Sequence, residues 1–422
     1  MEVQKYIEIE PSSYQEIADI NKIFEPFNIT VSEVMRGPQS VKYILKLPLD
    51  FQIQGKIKKA ENSIRYTLSS VVKSGEYTYG HEADYVYIER PAKMQTVYFT
   101  IFDRRLFQNN TKLKLALGVD SNGNKIYTDL VKAPHILVAG TTGSGKSELL
   151  HAMIASLIYG QPSTKVEMLL IDPKRSEFSP YKNSKSIKII TDMNTVVSYF
   201  EKAVDIMEKR YQELERAGSK DIYRYNGAFD MHPIVIIIDE LADLMTTHKE
   251  VEKHIVRIAQ KARACGIHLI IGTQRPSREV ITGLIKSNIP TRIALKTGSK
   301  IDSRIIMDRS GAESLLGKGD MLFLGNGAFE PIRIQAPFVS EDLKSALAGS
   351  ISVDRSSFTF EASQHSSIYN EAMEYIRYVE EKETAEKAAA PKQKRVGLFG
   401  GIANLFKVKP IMFESDDYPP KL

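Results

Sequence analysis

The 422 residues favour two or three domains, and 42% hydrophobic with 26% charged residues is an ordinary composition for a soluble globular protein. The net charge of +5 permits a nucleic-acid partner without requiring one, and a single cysteine, Cys265, excludes an internal disulfide framework. No apolar run approaches the roughly 18–20 residues that span a bilayer and the N-terminus lacks a signal-peptide profile, which predicts a cytoplasmic protein with no integral membrane segment.

Residues 1–100 mix helical and strand patterns. Apolar residues recur at helical spacing in "SSYQEIADINKIF", after a serine typical of a helix start, and again in "IQGKIKKAENSIRYTLSSVV". Apolar and polar residues alternate in "SVKYILKLPL" and "DYVYIER", as they do in half-buried strands. We therefore predict a small α+β domain over residues 1–100.

The pattern changes over residues 101–345. Short apolar runs are separated mostly by helical stretches or long loops; these runs are "HILVA", "VEMLLID", "IKIIT", "IVIIID", "IHLIIGT" and "TRIAL". Alternation of this kind is typical of parallel strands joined by helices that cover both faces of a sheet. The sequence therefore predicts an α/β domain here.

Residues 346–422 carry weaker signals. "EAMEYIRYVEEKETAEKAAA" predicts one exposed helix, and "PKQKR" a basic linker followed by a flexible tail. The segment "GLFGGIANLF" in that tail is apolar, rich in glycine and flanked by basic residues. Docking onto a partner protein, plain disorder and weak contact with a membrane surface all remain open for it.

The clearest motif is "GTTGSGKS", which fits the pattern G-x-x-x-x-G-K-[ST] between a predicted strand and a predicted helix. Glycines let backbone N–H groups wrap around phosphate oxygens, and the positive end of the following helix adds to the attraction. Lys146 is expected to reach the β- and γ-phosphates, and the Ser147 hydroxyl to bind Mg²⁺. The predicted ATP-binding residues are Gly140, Thr141, Thr142, Gly143, Ser144, Gly145, Lys146, Ser147 and Glu148.

Two further strands are expected to complete this site. The run 234–238 ends in Asp239 and Glu240, at the edge of the sheet where α/β proteins place their ligands. Asp239 is the candidate partner of Mg²⁺ through a water molecule, and Glu240 the candidate base or orienting group for the attacking water. Gln274 follows the next strand and could sense the γ-phosphate, although a polar residue that merely ends a strand would look the same.

A longer set of segments carries a family resemblance. "PHILVAGTTGSGKS", "IDPKR", "IIIDELADLM" and the stretch from "QKARACGIHLIIGTQRPS" to "LLGKGDML" closely resemble the motor domain of the FtsK/SpoIIIE family of double-stranded DNA translocases. The likeness covers about 101–340. Residues 1–100 resemble the small domain that precedes this motor, though more in the order of segments than in identity.

This resemblance implies a RecA-like P-loop NTPase that forms a homo-hexameric ring around double-stranded DNA, with ATP bound at each junction between subunits. Arg263 aligns with an arginine that family members insert into the neighbouring subunit's ATP site, and Lys300 with a lysine given a similar intersubunit or DNA-facing role. Arg275 and Lys286 align with basic residues of loops that face the pore and bind DNA.

The physical chemistry of these basic residues is less specific than the resemblance. An arginine held in trans would spread the charge that develops on the γ-phosphate. Arg263 could instead be one more exposed charge beside Arg257 and Lys261. Arg275 and Lys286 could contact phosphates without reading sequence, which suits travel along any DNA, or could simply be solvated loop charges.

Departures from the family pattern limit the expected function. The chain shows neither the membrane spans of chromosome-handling members nor the recognition stretch of their C-terminal winged-helix module. We therefore expect a DNA-stimulated ATPase that moves along or pumps DNA largely without regard to sequence. A secretion-type ATPase that moves proteins and an ATP-switched DNA clamp that does not travel remain the alternatives.

Overall fold

The structure is a computed structural model. It describes residues 11–25, 28–46, 78–82, 85–92, 94–102, 107, 113–159, 166–182, 184, 187–225, 231–349, 355–356 and 359–360. The helix predicted from "IQGKIKKAENSIRYTLSSVV", the helix predicted over 371–390 and the tail beyond it lie outside these residues.

Within the described ranges the chain forms helices and strands in the following order. The helices are α1 (Pro11–Phe24), α2 (Lys146–Tyr159), α3 (Met193–Arg216), α4 (Leu241–Thr247), α5 (Val251–Lys261), α6 (Gly283–Asn288), α7 (Lys300–Met307) and α8 (Glu341–Gly349). The strands are β1 (Thr30–Arg36), β2 (Ser40–Lys46), β3 (Thr78–Glu82), β4 (Tyr85–Pro91), β5 (Val97–Tyr98), β6 (Lys114–Asp120), β7 (Lys125–Asp129), β8 (His135–Ala139), β9 (Glu167–Ile171), β10 (Ile187–Ile190), β11 (Ile234–Ile238), β12 (Ile267–Thr273), β13 (Thr291–Leu295), β14 (Asp320–Leu324), β15 (Ile332–Gln335), β16 (Pro337–Phe338), β17 (Arg355–Ser356) and β18 (Thr359–Phe360).

The smaller of two compact units contains the described residues up to Val97, together with Val119–Asn124. Its sheet has the order β1-β2-β4-β3, and neighbouring strands are antiparallel. Helix α1 buries Ile17, Ile20 and Phe24 against this sheet, because these residues fall on one face at helical spacing. The helix and the two strands predicted in the described part of this segment are confirmed.

The larger unit is built on a mixed sheet with the strand order β10-β9-β11-β12-β8-β13-β14-β15-β6-β7. The first six strands are parallel, and each corresponds to one of the apolar runs in the sequence. Strands β8, β9, β11 and β12 are buried along their whole length, which explains their continuous apolar sequences. The α/β prediction is therefore confirmed.

The sheet continues where the sequence predicted no strand. Strand β14 pairs antiparallel with β13, and β15 pairs antiparallel with β14. Because β14 runs against β13, its first residues lie beside the carboxyl ends of the parallel strands. This antiparallel extension brings Gly319 and Asp320 to the same edge as the glycine-rich loop.

The register of three adjacent strands sets the position of the predicted site. Ile238 pairs with Ile271, and Thr273 pairs with Ala139, so β11, β12 and β8 end side by side. The residues that follow these ends are Asp239, Gln274 and Gly140. Their proximity is thus a direct consequence of parallel pairing.

None of the helices in the described ranges is both long and apolar enough to cross a membrane. The longest, α3, has 24 residues, but Asp192 caps its start and only one face is buried. The Asp192 carboxylate accepts a hydrogen bond from the Asn194 N–H at 3.1 Å, as the side chain of an N-cap residue does.

Two buried histidines lie at the opposite, amino-terminal edge of the parallel strands. His268 is fully buried, with Nδ1 3.2 Å from the Pro134 carbonyl oxygen and Nε2 2.8 Å from the Tyr223 hydroxyl. Burial lowers the pKa of His268 to about 4, and burial together with the nearby His268 lowers the pKa of His135 to about 3. Both rings are therefore neutral at pH 7.

Acidification is expected to destabilise the larger unit through this pair. Unfolding restores a histidine pKa near 6.5, so the unfolded chain binds more protons below that pH and the stability present above it is lost as pH falls. At pH 5 each ring costs about 2 kcal/mol of unfolding free energy relative to pH 7. His268→Gln, which removes one of the two titratable rings, should remove about half of this difference in urea unfolding. An unchanged difference would contradict the assignment.

Candidate nucleotide-binding site

The glycine-rich loop forms a tight turn between β8 and α2. Gly143 and Gly145 have φ values of +75° and +100°, which residues with a Cβ atom rarely adopt. A Cβ atom on Gly145 would also lie 2.3 Å from the backbone nitrogen of Gly319. The Gly319 N–H donates a 2.7 Å hydrogen bond to the Ser144 carbonyl. The antiparallel extension therefore holds the loop from outside and requires glycine at position 145.

The other side of the loop is anchored to neighbouring strand ends. The Gly140 N–H donates to the Thr273 carbonyl at 3.2 Å, and the Thr141 N–H donates to the Lys296 carbonyl at 2.9 Å. These bonds tie the loop to β12 and to the residue that follows β13. The predicted phosphate-binding turn is thus part of a rigid edge.

Lys146 and Asp239 form a buried ion pair at the base of this loop. The Lys146 ammonium lies 2.5 Å from Asp239 Oδ1 and 2.6 Å from the Asp239 carbonyl oxygen, and both side chains are at most 2% exposed. Gly272 leaves room for the Asp239 carbonyl, because a Cβ atom there would lie 2.5 Å from its oxygen. The structure therefore brings together the two residues predicted to bind phosphate and metal.

The second oxygen of Asp239 is available to a ligand. Asp239 Oδ2 is buried and makes no hydrogen bond. Burial raises the pKa of Asp239, and the nearby carboxylates of Glu177 and Glu240 raise it further, whereas Lys146 lowers it. An added cation would relieve this excess of negative charge.

A magnesium ion fits the donor atoms at this place. Carboxylate and hydroxyl oxygens such as those of Asp239 and Ser147 are the hard ligands that Mg²⁺ prefers, and phosphates and water usually complete its shell. Among the residues that the structure describes, no group of three or more His, Cys, Asp or Glu could hold a metal ion by itself.

Glu240 is held by the end of β12. Its Oε1 accepts a hydrogen bond from the Thr273 hydroxyl at 2.7 Å, and its Oε2 accepts from the Gln274 N–H at 3.0 Å. Glu240 is 2% exposed and also caps α4 by accepting from the Ala242 N–H at 3.3 Å. These contacts fix the carboxylate that was predicted as the base.

Gln274 links that carboxylate to the glycine-rich loop. Its side-chain Oε1 accepts a 2.8 Å hydrogen bond from the Thr142 hydroxyl. The residue therefore connects Glu240, through its backbone, with the loop, through its side chain. A sensor of the phosphates would occupy such a position.

Glu148, predicted to contact ATP, forms an ion pair with Lys344 of helix α8. The Lys344 ammonium lies 3.1 Å from Glu148 Oε1 and 2.8 Å from Glu341 Oε1, and the Lys344 side chain is 2% exposed. The second oxygen, Glu148 Oε2, is buried and makes no hydrogen bond. Contact between Glu148 and ATP stays a prediction.

Glu177 is a member of the site that sequence reasoning missed. It lies in the loop after β9, and its Oε1 lies 3.4 Å from His151 Nε2. Burial alone would raise its pKa, but the nearby His151, Ser147 and Lys146 side chains outweigh burial and the pKa is lowered. The sequence feature that could have pointed to Glu177 is the neighbouring "IDPKR". This segment contributes to the family resemblance, but the sequence analysis gave its residues no role.

Comparison with known sequences identifies this unit. Residues 100–233 and 229–278 match the sequence profile of the FtsK/SpoIIIE family. Residues 100–278 belong to the FtsK/SpoIIIE family. The chain is 41% identical over 333 residues to DNA translocase SftA of Bacillus subtilis (strain 168), covering 75% of this chain and 34% of SftA. It is 46% identical over 271 residues to DNA translocase FtsK of Helicobacter pylori (strain 26695), covering 61% of this chain and 32% of that protein. It thus spans about a third of the length of these relatives.

Solved structures show the same fold as the FtsK/SpoIIIE domain. The monomer form of the pCW3 conjugation coupling protein TcpA, solved with ATPgS, has a TM-score of 0.55 and 26% identity, covering 78% of this chain and 96% of TcpA. The cytoplasmic domain of the type VII secretion ATPase EccC from Thermomonospora curvata has a TM-score of 0.50 and 22% identity, covering 58% of this chain and 32% of EccC. The P-loop ATPase fold predicted for this unit is confirmed.

Arg263 lies far from the nucleotide site of its own FtsK/SpoIIIE domain. It precedes β12, whereas Gln274 follows it, and seven residues of strand span about 20 Å. The side chain is exposed, and its Nε donates to the Val131 carbonyl at 3.1 Å. Arg263 therefore cannot reach the glycine-rich loop of its own chain. A residue that acts on the nucleotide of a neighbouring chain would have such a position.

The other basic residues singled out by the FtsK/SpoIIIE resemblance differ in their surroundings. Arg275 is exposed in the loop that follows β12. Lys300 is exposed at the start of α7, four residues after the Lys296 carbonyl that holds the glycine-rich loop. The Lys286 side chain is only 19% exposed and its ammonium lies 2.6 Å from Asp308 Oδ1. Lys286 is thus engaged inside the domain, and the DNA contacts of Arg275 and Lys286 stay predictions.

Proposed function

We propose that this protein is a DNA-stimulated ATPase that uses ATP hydrolysis, with Mg²⁺, to move along or pump double-stranded DNA as a homo-hexameric ring. The observation that carries the proposal is the hydrogen-bonded connection from the loop through Gln274 to Glu240. It joins the groups suited to ATP hydrolysis to the exposed loop that begins at Arg275. The similarity to SftA and FtsK, both DNA translocases by name, supports DNA as the partner.

ATP binding begins with the replacement of one partner of Lys146. The ammonium leaves Asp239 and makes charge-assisted contacts with the β- and γ-phosphates, which together carry more negative charge than one carboxylate. The Asp239 carboxylate and Ser147 hydroxyl would then hold Mg²⁺, which would neutralise phosphate charge when bound. The glycine-rich loop supplies backbone N–H groups to the same phosphates.

Hydrolysis then depends on Glu240. Its carboxylate, oriented by the Thr273 hydroxyl and the Gln274 N–H, accepts a proton from the water that attacks the γ-phosphate. Loss of that phosphate changes the charge next to Thr142 and Gln274. Because the Gln274 backbone continues directly into Arg275, a shift of Gln274 moves the start of an exposed basic loop.

The DNA partner follows from the charge of that loop. An exposed arginine can contact phosphates of any sequence, which suits a protein that travels without regard to sequence. A cytoplasmic location is part of the proposal, since ATP and DNA occur together there and the buried free thiol of Cys265 is compatible with a reducing compartment.

ATP turnover with and without long duplex DNA tests the proposal. We expect DNA to stimulate phosphate release and ATP to drive displacement of a triplex-forming strand from a long duplex. An equal rate of ATP turnover with and without DNA would contradict the proposal and favour an ATPase that moves proteins. DNA binding without displacement would favour a clamp that does not travel.

Arg263→Ala is expected to leave ATP binding intact and to lower DNA-stimulated hydrolysis by about 1,000-fold, because an arginine supplied in trans stabilises charge on the transferring phosphoryl group. Phosphate release and binding of a labelled ATP analogue measure the two effects separately. Arg257→Ala provides the control, since Arg257 is a half-exposed arginine whose partner is Glu208 at 2.7 Å. Normal hydrolysis by Arg263→Ala would show that the intersubunit assignment is wrong.

A further inference from the structure

The segment 316–319, which leads into β14, packs against the glycine-rich loop. The Gly319 N–H donates to the Ser144 carbonyl at 2.7 Å. A Cβ atom on Gly145 would lie 2.3 Å from the Gly319 nitrogen and 3.1 Å from the carbonyl carbon of Lys318. Lys318 is therefore adjacent to the backbone that is suited to wrap around phosphates, although the pattern G-x-x-x-x-G-K-[ST] gives it no role.

Lys318 has an unusual backbone conformation for a residue with a long side chain. Its φ is +51°, and the neighbouring Gly317 and Gly319 have φ values of +88° and +92°. Glycine adopts this region freely, whereas lysine is strained there. The Lys318 carbonyl is held by a 2.8 Å hydrogen bond from Gln335 Nε2. Strained residues of this kind are concentrated at functional sites, which points to a role for the side chain at position 318.

The Lys318 ammonium is available to a ligand. The residue is exposed, and it forms no ion pair with the residues that the structure describes. Lys296, which is also exposed, adds a second positive charge nearby, since its Cδ would lie 3.6 Å from a Cβ atom on Gly317. Positive charges beside the glycine-rich loop favour an anion there.

The strand order indicates which phosphate Lys318 meets. Glu240 and Gln274 follow β11 and β12, on one side of β8, and they act on the γ-phosphate in the proposed reaction. Lys318 precedes β14, on the other side of β8. Between them, the N–H groups of the glycine-rich loop are suited to the α- and β-phosphates. A triphosphate placed in this order has its α-phosphate nearest to Lys318.

We propose that Lys318 is a nucleotide-binding residue whose ammonium contacts the α-phosphate. This inference rests on the proposed ATP-dependent function and adds a specific contact to it. Because ATP and ADP share the α-phosphate, Lys318 strengthens the binding of both by the same factor. It takes no part in the removal of the γ-phosphate, so it raises affinity without raising the rate of hydrolysis at saturating ATP.

The test is the affinity of the full chain for a fluorescent, non-hydrolysable ATP analogue and for fluorescent ADP. Lys318→Asn should weaken the binding of both about 10-fold, the effect of one charge-assisted contact, while DNA-stimulated turnover at saturating ATP should not fall. Lys318→Arg, which keeps the charge, should bind both nucleotides nearly as well as the wild type. Lys188→Asn removes an exposed lysine from β10, at the far end of the sheet, and is the control.

Urea unfolding without nucleotide separates this contact from a structural role of the lysine. Lys318→Asn should unfold at a urea concentration no lower than the wild type, because asparagine adopts a positive φ more readily than lysine does. A lower midpoint together with weaker binding would show that the lysine supports the loop, and would overturn the inference.

The same binding measurements distinguish this inference from the proposed function. Unchanged affinity of Lys318→Asn, or a loss for the ATP analogue without a loss for ADP, would overturn the α-phosphate contact and leave the proposed function intact. Wild-type nucleotide binding without DNA-stimulated turnover would overturn the proposed function, while a 10-fold loss in Lys318→Asn would still support the contact. A wild-type chain that binds neither nucleotide would overturn both.

Discussion

Glu240→Gln is expected to reduce ATP turnover by about 100- to 10,000-fold, the contribution typical of a general base. Binding of ATP should be nearly unchanged. A glutamine carbonyl oxygen at the place of Oε1 can still accept from the Gln274 N–H, at 3.2 Å, and from the Ala242 N–H, so the end of β12 and the cap of α4 keep an acceptor. What is lost is a carboxylate able to take the proton of the attacking water. Phosphate release and retention of labelled ATP measure the two quantities.

A second consequence concerns DNA. A variant that holds ATP without hydrolysing it should remain bound to duplex DNA and fail to displace a triplex-forming strand. Glu208→Gln changes an exposed carboxylate in the same domain and should behave as wild type. Rapid hydrolysis by Glu240→Gln would show that another group removes the proton.

Lys146→Ala is expected to lower ATP affinity by about 100-fold, since two charge-assisted contacts with phosphate together contribute about 3 kcal/mol. Turnover should become undetectable for the same reason. The empty protein should change as well, because Asp239, which is 1% exposed, loses the ammonium that lies 2.5 Å from its Oδ1. Removal of one partner from a buried ion pair costs about 3–5 kcal/mol, and protonation of Asp239 at lower pH should reduce this cost.

The double variant Lys146→Ala/Asp239→Asn separates binding from stability. It should recover a large part of the unfolding free energy lost in Lys146→Ala, because no buried charge remains unpaired, yet it should bind ATP no better. Urea unfolding in the absence of nucleotide gives the comparison. If the double variant is as unstable as Lys146→Ala, the ion pair does not account for the loss.

Much of the nucleotide site follows from local sequence patterns. The run 234–238 is apolar throughout and ends in two carboxylates, and strands of that kind are buried and parallel, with their carboxyl ends aligned. The loop 140–145 has a positive φ at positions 143 and 145, and the glycines at both positions predict this conformation. These features depend on short stretches of chain, so a single sequence contains the information.

The missed features depend on partners distant in sequence. Lys344 and Glu148 are 196 residues apart, and nothing near either residue predicts their ion pair. The sequence around Lys286 indicates only an exposed charge. In the structure, Lys286 forms an ion pair with Asp308, the left-handed residue that ends α7. The sequence of β14 has no alternation of apolar and polar residues that would distinguish it from a loop. Its place in the sheet is evident only from its pairing with β13.

The separation of Gln274 from Arg263 at opposite ends of β12 gives the domain a built-in polarity. If each copy offers its arginine to the nucleotide of the next, the two surfaces in contact differ, and the association is head-to-tail. In an association of this kind, copies continue to add until the chain of domains closes into a ring or grows into a filament. Each nucleotide site is then completed by two polypeptides. Dilution, which separates the copies, should therefore abolish ATP hydrolysis under conditions where each domain remains folded.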